Sequence, residues 1–286
     1  MKIVLCGSSG FVGSALKEFF LQLEYDVVSL SIRESTSIES IVKILENTDV
    51  VINLSGANIM GRWSDTYKAL LRQSRLESTQ KLVDALKKSL HPPHTYINAS
   101  AVGIYDGDHR HDETSREYAD DFLATLVRDW EDLALQAQSS RTRVCVTRFG
   151  VVYGKNGGAM AKMLPPFKMG LGGKMGEGSQ VVSWIHIDDL IRGYEFLIHH
   201  TFIQGVVNFT APHPLTNAQQ TRIMGEILHR PTLFTIPSWV VKLIFGEGSC
   251  VMLDSKEVIP AILIHEGFEF NYSTFEKAFR EITKNS

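Results

Sequence analysis

The sequence predicts an α/β fold, a doubly wound parallel sheet with a smaller C-terminal substrate lobe, and three observations predict it. The chain opens with MKIVLCGSSGFVGSALK, in which the apolar run Ile3 to Cys6 meets Gly7, Gly10 and Gly13 at the spacing GxxGxxG. Short apolar runs then alternate with helical patterns through most of the chain, the order expected of strand-helix-strand units. Finally, 286 residues at 44% hydrophobic composition suffice for one large core and a further lobe.

The first unit sets the expected chemistry. After the glycines, Phe11, Val12, Ala15, Leu16, Phe19, Phe20 and Leu23 recur at offsets of three and four, so a helix begins where the turn ends. Glycines let the backbone turn tightly and approach a ligand, and a helix N-terminus offers unpaired N–H groups and a positive dipole end. Gly7, Ser9, Gly10, Phe11, Val12 and Gly13 are therefore candidates to cradle a dinucleotide's diphosphate, as in a Rossmann turn. Asp26 to Leu30 is the second strand, and Arg33 lies twenty residues after Gly13, where such a fold reads the ribose. A guanidinium there suits a 2′-phosphate and favours NADP(H) over NAD, with Glu34 as the competing residue.

Ile38 to Leu45 reads as a helix and Asp49 to Leu54 as a third strand. The small turn that follows makes Leu54, Ser55, Gly56 and Ala57 cofactor candidates, because small residues let a ligand lie close to the strand end. Ser64 caps a long helix running to Leu90. Arg62, Arg72 and Arg75 beside or on it could meet cofactor phosphates or form a solvated face; Arg75 is the one placed with the cofactor residues. Pro92 and Pro93 stop the helix, and Thr95 to Ala99 begins a fourth strand that runs into ASAVGIYD. Ser100 and Tyr105 are the candidate catalytic hydroxyls, able to face a nicotinamide and a substrate oxygen, or else to serve the turn and the packing. The polar cluster His109 to Glu113 has no common zinc spacing; it reads as a solvated loop, and no metal is expected.

Asp120 or Asp121 caps a helix running to Ser139, and Val144 to Phe149 is the next strand. From Lys155 to Gln180 glycines are dense, with Pro165 and Pro166 among them, which predicts an unstructured lid or binding loop. Its Lys162, Lys168 and Lys174 read by default as solvated loop charges and otherwise suggest a small, anionic substrate. Trp184 opens a short strand and a helix through His199, with His186 a candidate polar group near the substrate. Gly205 to Phe209 is a strand, and Thr216 or Asn217 caps a helix to Leu228. Two units follow: residues 1–230 with the lid at 155–180, and a small C-terminal unit at 231–286. A formal charge of −3 argues against nucleic acid as a partner. Cys6, Cys145 and Cys250 read as reduced core thiols of a cytoplasmic protein. No apolar run has the length of a membrane span.

Together GSSGFVG, VVINLSGANI, the SRLEST run at Ser74 to Thr79, ASAVGIY, RFGVVYG, PPFKMGLGGKMGEGSQ and SWIHIDDL resemble the epimerase family proteins of the short-chain dehydrogenase/reductase superfamily. The ending GEGSCVMLDSKEVIPAILIHEGFEF is similar to that subgroup's C-terminal domain of unknown function. The resemblance implies an extended reductase fold binding NADP(H), with Gly7, Gly10, Gly13 and Arg33 on the phosphate and ribose positions and Ser100 on the catalytic serine position. One departure stands out. The superfamily's general acid is the Tyr of a YxxxK motif on the helix after the serine strand, but alignment on Trp130 and Glu131 puts Leu123 and Val127 there. Tyr118, the nearest tyrosine, is followed four residues on by Phe122. Asp106 also stands where relatives tend to carry Gly.

Two functions follow as expectations. One is an NADP-dependent oxidoreductase or epimerase of a small molecule, with Ser100 and Tyr105 or a water handling protons. The other is a non-catalytic NADP(H)-binding regulatory or redox-sensing protein, motivated by the missing YxxxK pair.

Overall fold

The computed structural model describes residues 1–155 and 157–284. Asn156, inside the range read as a lid, and Asn285 and Ser286, at the end of the C-terminal unit, lie outside the described residues. Six strands form the central sheet: β1 (Lys2–Cys6), β2 (Asp26–Leu30), β3 (Val50–Asn53), β4 (Thr95–Ala101), β5 (Arg143–Phe149) and β6 (Gly205–Phe209). Their spatial order is β6-β5-β4-β3-β1-β2, and every pairing is parallel. The chain steps outward from β1 to β2, then crosses back to β3 on the other side of β1. The topological switch point therefore falls between β1 and β3, where an open sheet of this kind leaves a crevice at the carboxyl ends of its strands.

The helices are α1 (Phe11–Gln22), α2 (Ile38–Leu45), α3 (Asp65–Lys88), α4 (Phe122–Leu135), α5 (Met160–Lys168), α6 (Ile187–His199), α7 (Asn217–Leu228), α8 (Ser238–Phe245), α9 (Cys250–Leu253), α10 (Ala261–His265) and α11 (Phe275–Thr283). Successive strand residues point to opposite faces, so each strand feeds two cores. Ile3 and Leu5 pack with Leu16 and Phe20 of α1 and with Leu190, Tyr194 and Leu197 of α6. Val4 and Cys6 pack with Ile41 and Leu45 of α2, Leu82 and Leu86 of α3, and Ala134 of α4. Burial raises the Cys6 thiol to about 12, which keeps it protonated and inert.

Helix starts follow the sequence signals. Ser37, Ser64 and Asp121 each accept the backbone N–H three residues on, and Thr216 with Gln219 forms a complete capping box. The fourth helix ends at Leu135 rather than Ser139. A larger correction concerns 155–180. Instead of an unstructured lid, it holds α5, with Pro165 and Pro166 inside the helix, and a strand Gly173–Met175 that pairs in parallel with Phe234–Ile236. The glycines disguised a built segment.

The last third is sewn into the rest. Leu263 and Phe268 join the core of the α1 and α6 face, while Phe275, Phe279 and Ile282 of α11 pack with Tyr153, Trp184 and Met224. Among the described residues no helix is long and apolar enough to cross a membrane.

Helix α4 is tied to the sheet by a buried ion pair. Arg148 of β5 donates from Nε and Nη2 to the two oxygens of Glu131, at 2.8 and 2.6 Å, with both side chains almost fully buried. Removing one partner leaves an uncompensated buried charge, which is worse than replacing both. Glu131→Ala should lower the unfolding free energy by about 3–5 kcal/mol in a urea titration, and the double substitution Glu131→Leu with Arg148→Met should recover part of that loss. Gly13→Ala should cost about 3 kcal/mol or more in the same assay, because a Cβ there would sit 2.1 Å from the Gly7 carbonyl oxygen.

Candidate functional site

The turn between β1 and α1 is built from backbone alone. Gly7 has φ of +76°, and a Cβ on it would lie 2.7 Å from the carbonyl oxygen of Leu54 at the end of β3. Gly13 lies against Gly7 itself. Gly10 differs: its nearest neighbour to a Cβ is 3.5 Å away, so its openness serves approach from outside rather than internal packing. Gly10 is also the N-cap of α1, with no side-chain cap and no acidic residue in the first turn. The first N–H groups of that helix have no intrahelical acceptor. Ser9 and Gly10 are exposed. The side chains of Phe11 and Val12 pack inward, leaving only their backbone N–H groups to the site, and Gly157 and Gly158 close over the Phe11 ring.

Arg33 is exposed on the loop after β2, and its guanidinium has no hydrogen-bond partner among the described residues. Lys81 of α3 pins that loop, donating to the carbonyls of Arg33 and Glu34 at 2.8 and 2.6 Å. Between loop and helix lies a cavity of about 170 Å³ lined by Arg33, Glu34, Gln73, Ser74, Ser78 and Lys81 among others.

At the end of β3 the backbone of Leu54, Ser55, Gly56 and Ala57 is held from beneath. Asn53, fully buried, donates from its side-chain amide to Asn98 at 2.8 Å and Thr79 at 3.0 Å, and its side-chain Oδ1 accepts the Ser55 N–H at 3.1 Å. Arg75 does not reach for a phosphate as expected. Its guanidinium donates to the carbonyls of Ala57 at 3.1 Å and Leu71 at 3.2 Å and lies 5.3 Å from the centre of the Trp130 ring. Burial lowers its pKa to about 10. Arg75 is a clamp on the turn. Arg72 pairs with Asp129, and Arg62 donates to the carbonyl of Leu243 at 2.7 Å.

The two candidate hydroxyls are also corrected. Ser100 is 3% exposed and donates to Glu131, on the same carboxylate that Arg148 holds. Tyr105 is fully buried, and its hydroxyl donates to the carbonyl of Asp112 at 2.9 Å and to Asn208 Oδ1 at 3.0 Å. Its ring lies under the Arg148 guanidinium, 4.8 Å away. Neither hydroxyl faces an open crevice. Leu123 and Val127 pack into an apolar cluster with Val102, Ile104 and Val258, and Leu123 covers Gly103. The positions of the absent YxxxK pair are therefore filled with hydrocarbon. Glu131 and Arg148 escaped sequence reasoning; a charged residue at a core-facing position in each of two otherwise apolar segments was the available signal.

Three other expectations change. His111 and Glu113 are buried rather than solvated, and Glu113 accepts the N–H groups of Asn208 at 2.9 Å and Ile262 at 3.3 Å. His186 is the N-cap of α6 and lies 3.1 Å from Glu281 of α11, so it links two helices rather than facing a substrate. Lys174 donates to the carbonyl of Glu177, and no lysine lines the nearby 310 Å³ cavity formed by Met175, Gly176, Glu177, Gln180, Ser238 and Ser255 with two neighbours.

Against this geometry stand the comparisons with known proteins. The NAD dependent epimerase/dehydratase family matches residues 3–208, and a domain of unknown function, DUF1731, matches residues 236–282. An epimerase family protein of Staphylococcus haemolyticus is 34% identical over 294 residues, covering 98% of each chain. A crystal structure of the human epimerase family protein SDR39U1, isoform 2, with NADPH is 33% identical, covers all of both chains and superposes with a TM-score of 0.93. A nucleoside-diphosphate sugar epimerase from Corynebacterium glutamicum is 31% identical with a TM-score of 0.78, matching 99% of this chain and 58% of its own. The bare N-terminus of α1 at the switch point of a six-stranded parallel sheet thus belongs to a member of the NAD-dependent epimerase/dehydratase family that carries the DUF1731 domain at its C-terminal end.

Proposed function

We propose that the chain binds NADP(H) across the carboxyl edge of its sheet and acts as an oxidoreductase or epimerase on a small molecule. The observation that carries the reading is the uncapped, acid-free N-terminus of α1 behind an open Gly10. The diphosphate would take the N–H groups of Ser9 to Val12 and lie along the turn made by Gly7 and Gly13. Arg33, exposed and unpaired beside the 170 Å³ cavity, would meet the 2′-phosphate. Leu54 to Ala57 would border the coenzyme through their backbone. The NADPH held by the human relative supports the choice of coenzyme. When bound, the coenzyme supplies or accepts a hydride.

The chain's own contribution beyond positioning is apolar. Leu123, Val127 and Val102 offer no proton donor where relatives of the superfamily type place a tyrosine and lysine, so protons would come from solvent or from the substrate itself. The 310 Å³ cavity offers hydroxyls, amides and one carboxylate, Glu177, which suits a neutral polar molecule better than the anion suggested by the loop lysines. Three unpaired cysteines fit the cytoplasm. A second reading, an NADP(H)-binding regulatory or redox-sensing protein without turnover, is favoured by the engagement of both candidate hydroxyls inside the protein.

Calorimetric titration should give tight NADPH binding and weaker NADH binding. Arg33→Ala should weaken NADPH by about 10–100-fold and leave NADH unchanged, as expected for one charge-assisted phosphate contact. An unchanged preference would move the 2′-phosphate elsewhere. Gly10→Ala should melt within about 2 °C of the wild type yet lose at least about tenfold in NADPH affinity, since its Cβ makes only an ordinary van der Waals contact, 3.5 Å from the Gly7 carbonyl oxygen, until a diphosphate arrives. The two functions part on turnover. A metabolite screen following NADPH absorbance that finds no consumption, with binding intact, selects the sensing role.

A further inference from the structure

We propose that Asp106, His109 and His111 form a binding site for a divalent transition-metal cation of the zinc type. The three belong to the loop that leaves Tyr105 and returns as the short strand Arg110–His111, parallel to Glu257–Val258. Asp106 sits between the two rings, with Oδ1 2.9 Å from His111 Nε2 and Oδ2 3.0 Å from His109 Nδ1. One ligand atom from each of the three lies within 4.8 Å of the others. Taking Oδ1 as the carboxylate ligand, the edges are 2.9 Å to His111 Nε2, 3.3 Å to His109 Nδ1 and no more than 4.8 Å between the two nitrogens, so a point about 2.5 Å from all three atoms exists, and zinc needs about 2.0–2.2 Å. A contraction of a few tenths of an ångström closes the difference.

The parts that must stay fixed and the part that must move are the right ones. His111 is buried, its ring stacked on Tyr105 at 4.7 Å between centroids and 16° between planes. The Asp106 N–H donates to the carbonyl of Glu117 at 3.2 Å, anchoring the loop. His109, with 62% of its side chain exposed, is free to swing in. Two imidazoles and one carboxylate suit zinc, cobalt or nickel, and offer too few oxygens for calcium or magnesium. Three protein ligands leave a position open to water. The irregular spacing hid the site because a loop, rather than a helix or hairpin, brings the ligands together.

Ligation through Nε2 places the remaining proton of His111 on Nδ1, which is buried and has no hydrogen-bond partner among the described residues. Lacking that supporting acceptor, the site should bind with micromolar rather than nanomolar affinity. A bound cation would cross-link the loop directly over Tyr105.

The full chain, freed of metal with EDTA, should be titrated with zinc chloride by calorimetry and with cobalt chloride by visible absorption. One site of micromolar affinity is expected. His109→Ala and Asp106→Asn should each weaken it by about tenfold or more, and His109→Ala, altering an exposed side chain, should melt like the wild type in the absence of metal. Zinc should raise the melting temperature of the wild type but not of His109→Ala. No uptake below about 100 μM, or equal affinity in wild type and His109→Ala, would overturn the assignment; the second result would place the metal on other histidines.

Discussion

Everything at the crevice depends on how closely α1 approaches the end of β1. Between Gly13 and the Gly7 carbonyl there is room for a hydrogen atom and not for a methyl group, and a Cβ on Gly7 would in turn come within 2.7 Å of the Leu54 carbonyl oxygen. These contacts pull three segments together at one place: the first helix, the end of β1 and the turn after β3. The Leu54 N–H completes the arrangement by donating to the Cys6 carbonyl at 3.1 Å. Hydrogen-bond donors made from backbone in this way cannot rotate out of position, so an anion meeting them pays little reorganisation.

A second constraint acts at the ends of β4 and β5. The interior there contains a full ion pair, and the geometry shows how it is tolerated: Glu131 receives two guanidinium N–H groups and the Ser100 hydroxyl, while Arg148 rests against the rings of Tyr105 and Tyr118. Its Nη1 alone has no hydrogen-bond acceptor. Such a pair is a poor source of net stability, because two desolvated charges offset much of their attraction. What it does provide is orientation. Helix α4 can dock on the sheet in only one register if Glu131 is to find Arg148, and that register sets Leu123 and Val127 against the β4 loop. The Ser100 hydroxyl is used in the same fastening, while the Tyr105 hydroxyl is taken by the Asp112 carbonyl and Asn208.

The sequence made the fold legible because the sheet strands are built around short apolar runs and several helices open on a capping side chain. Ser64, Asp121 and Thr216 all behaved as their side chains suggested. The glycine turn was legible for the same reason, since Gly7 and Gly13 leave no room for any other residue. What could not be read was the use of polar groups inside the protein. Arg75 read as a cofactor residue, yet it turns inward to two carbonyls; His186 read as a candidate group near the substrate, yet it caps a helix and touches Glu281. Partner choice for a polar side chain depends on groups distant in sequence, Ala57 for Arg75 and Glu281 for His186, and local patterning carries no information about them. The glycine-rich stretch failed differently. Gly157, Gly158 and Gly172 serve close packing on Phe11 and Phe167, and Gly158, Gly170, Gly176 and Gly178 supply the positive φ angles of ordered turns.

That packing bears on how a ligand enters. The C-terminal segment is fastened on both flanks of the crevice: Lys68 pairs with Glu247, and the Trp63 N–H donates to the Phe245 carbonyl at 3.2 Å on one side, while Glu281 reaches His186 on the other. Gly157 and Gly158 lie over the Phe11 ring, so the approach to α1 from that direction is filled. Ser9, Gly10, Arg33 and Gly56 are left exposed along one continuous edge running from the first turn toward the loop after β2. The exposed backbone at Ser9 and Gly10 and the Arg33 side chain stand clear of the contacts that fasten the C-terminal segment, and the 310 Å³ cavity opens between the strand at Gly173–Met175 and the loop near Ser255.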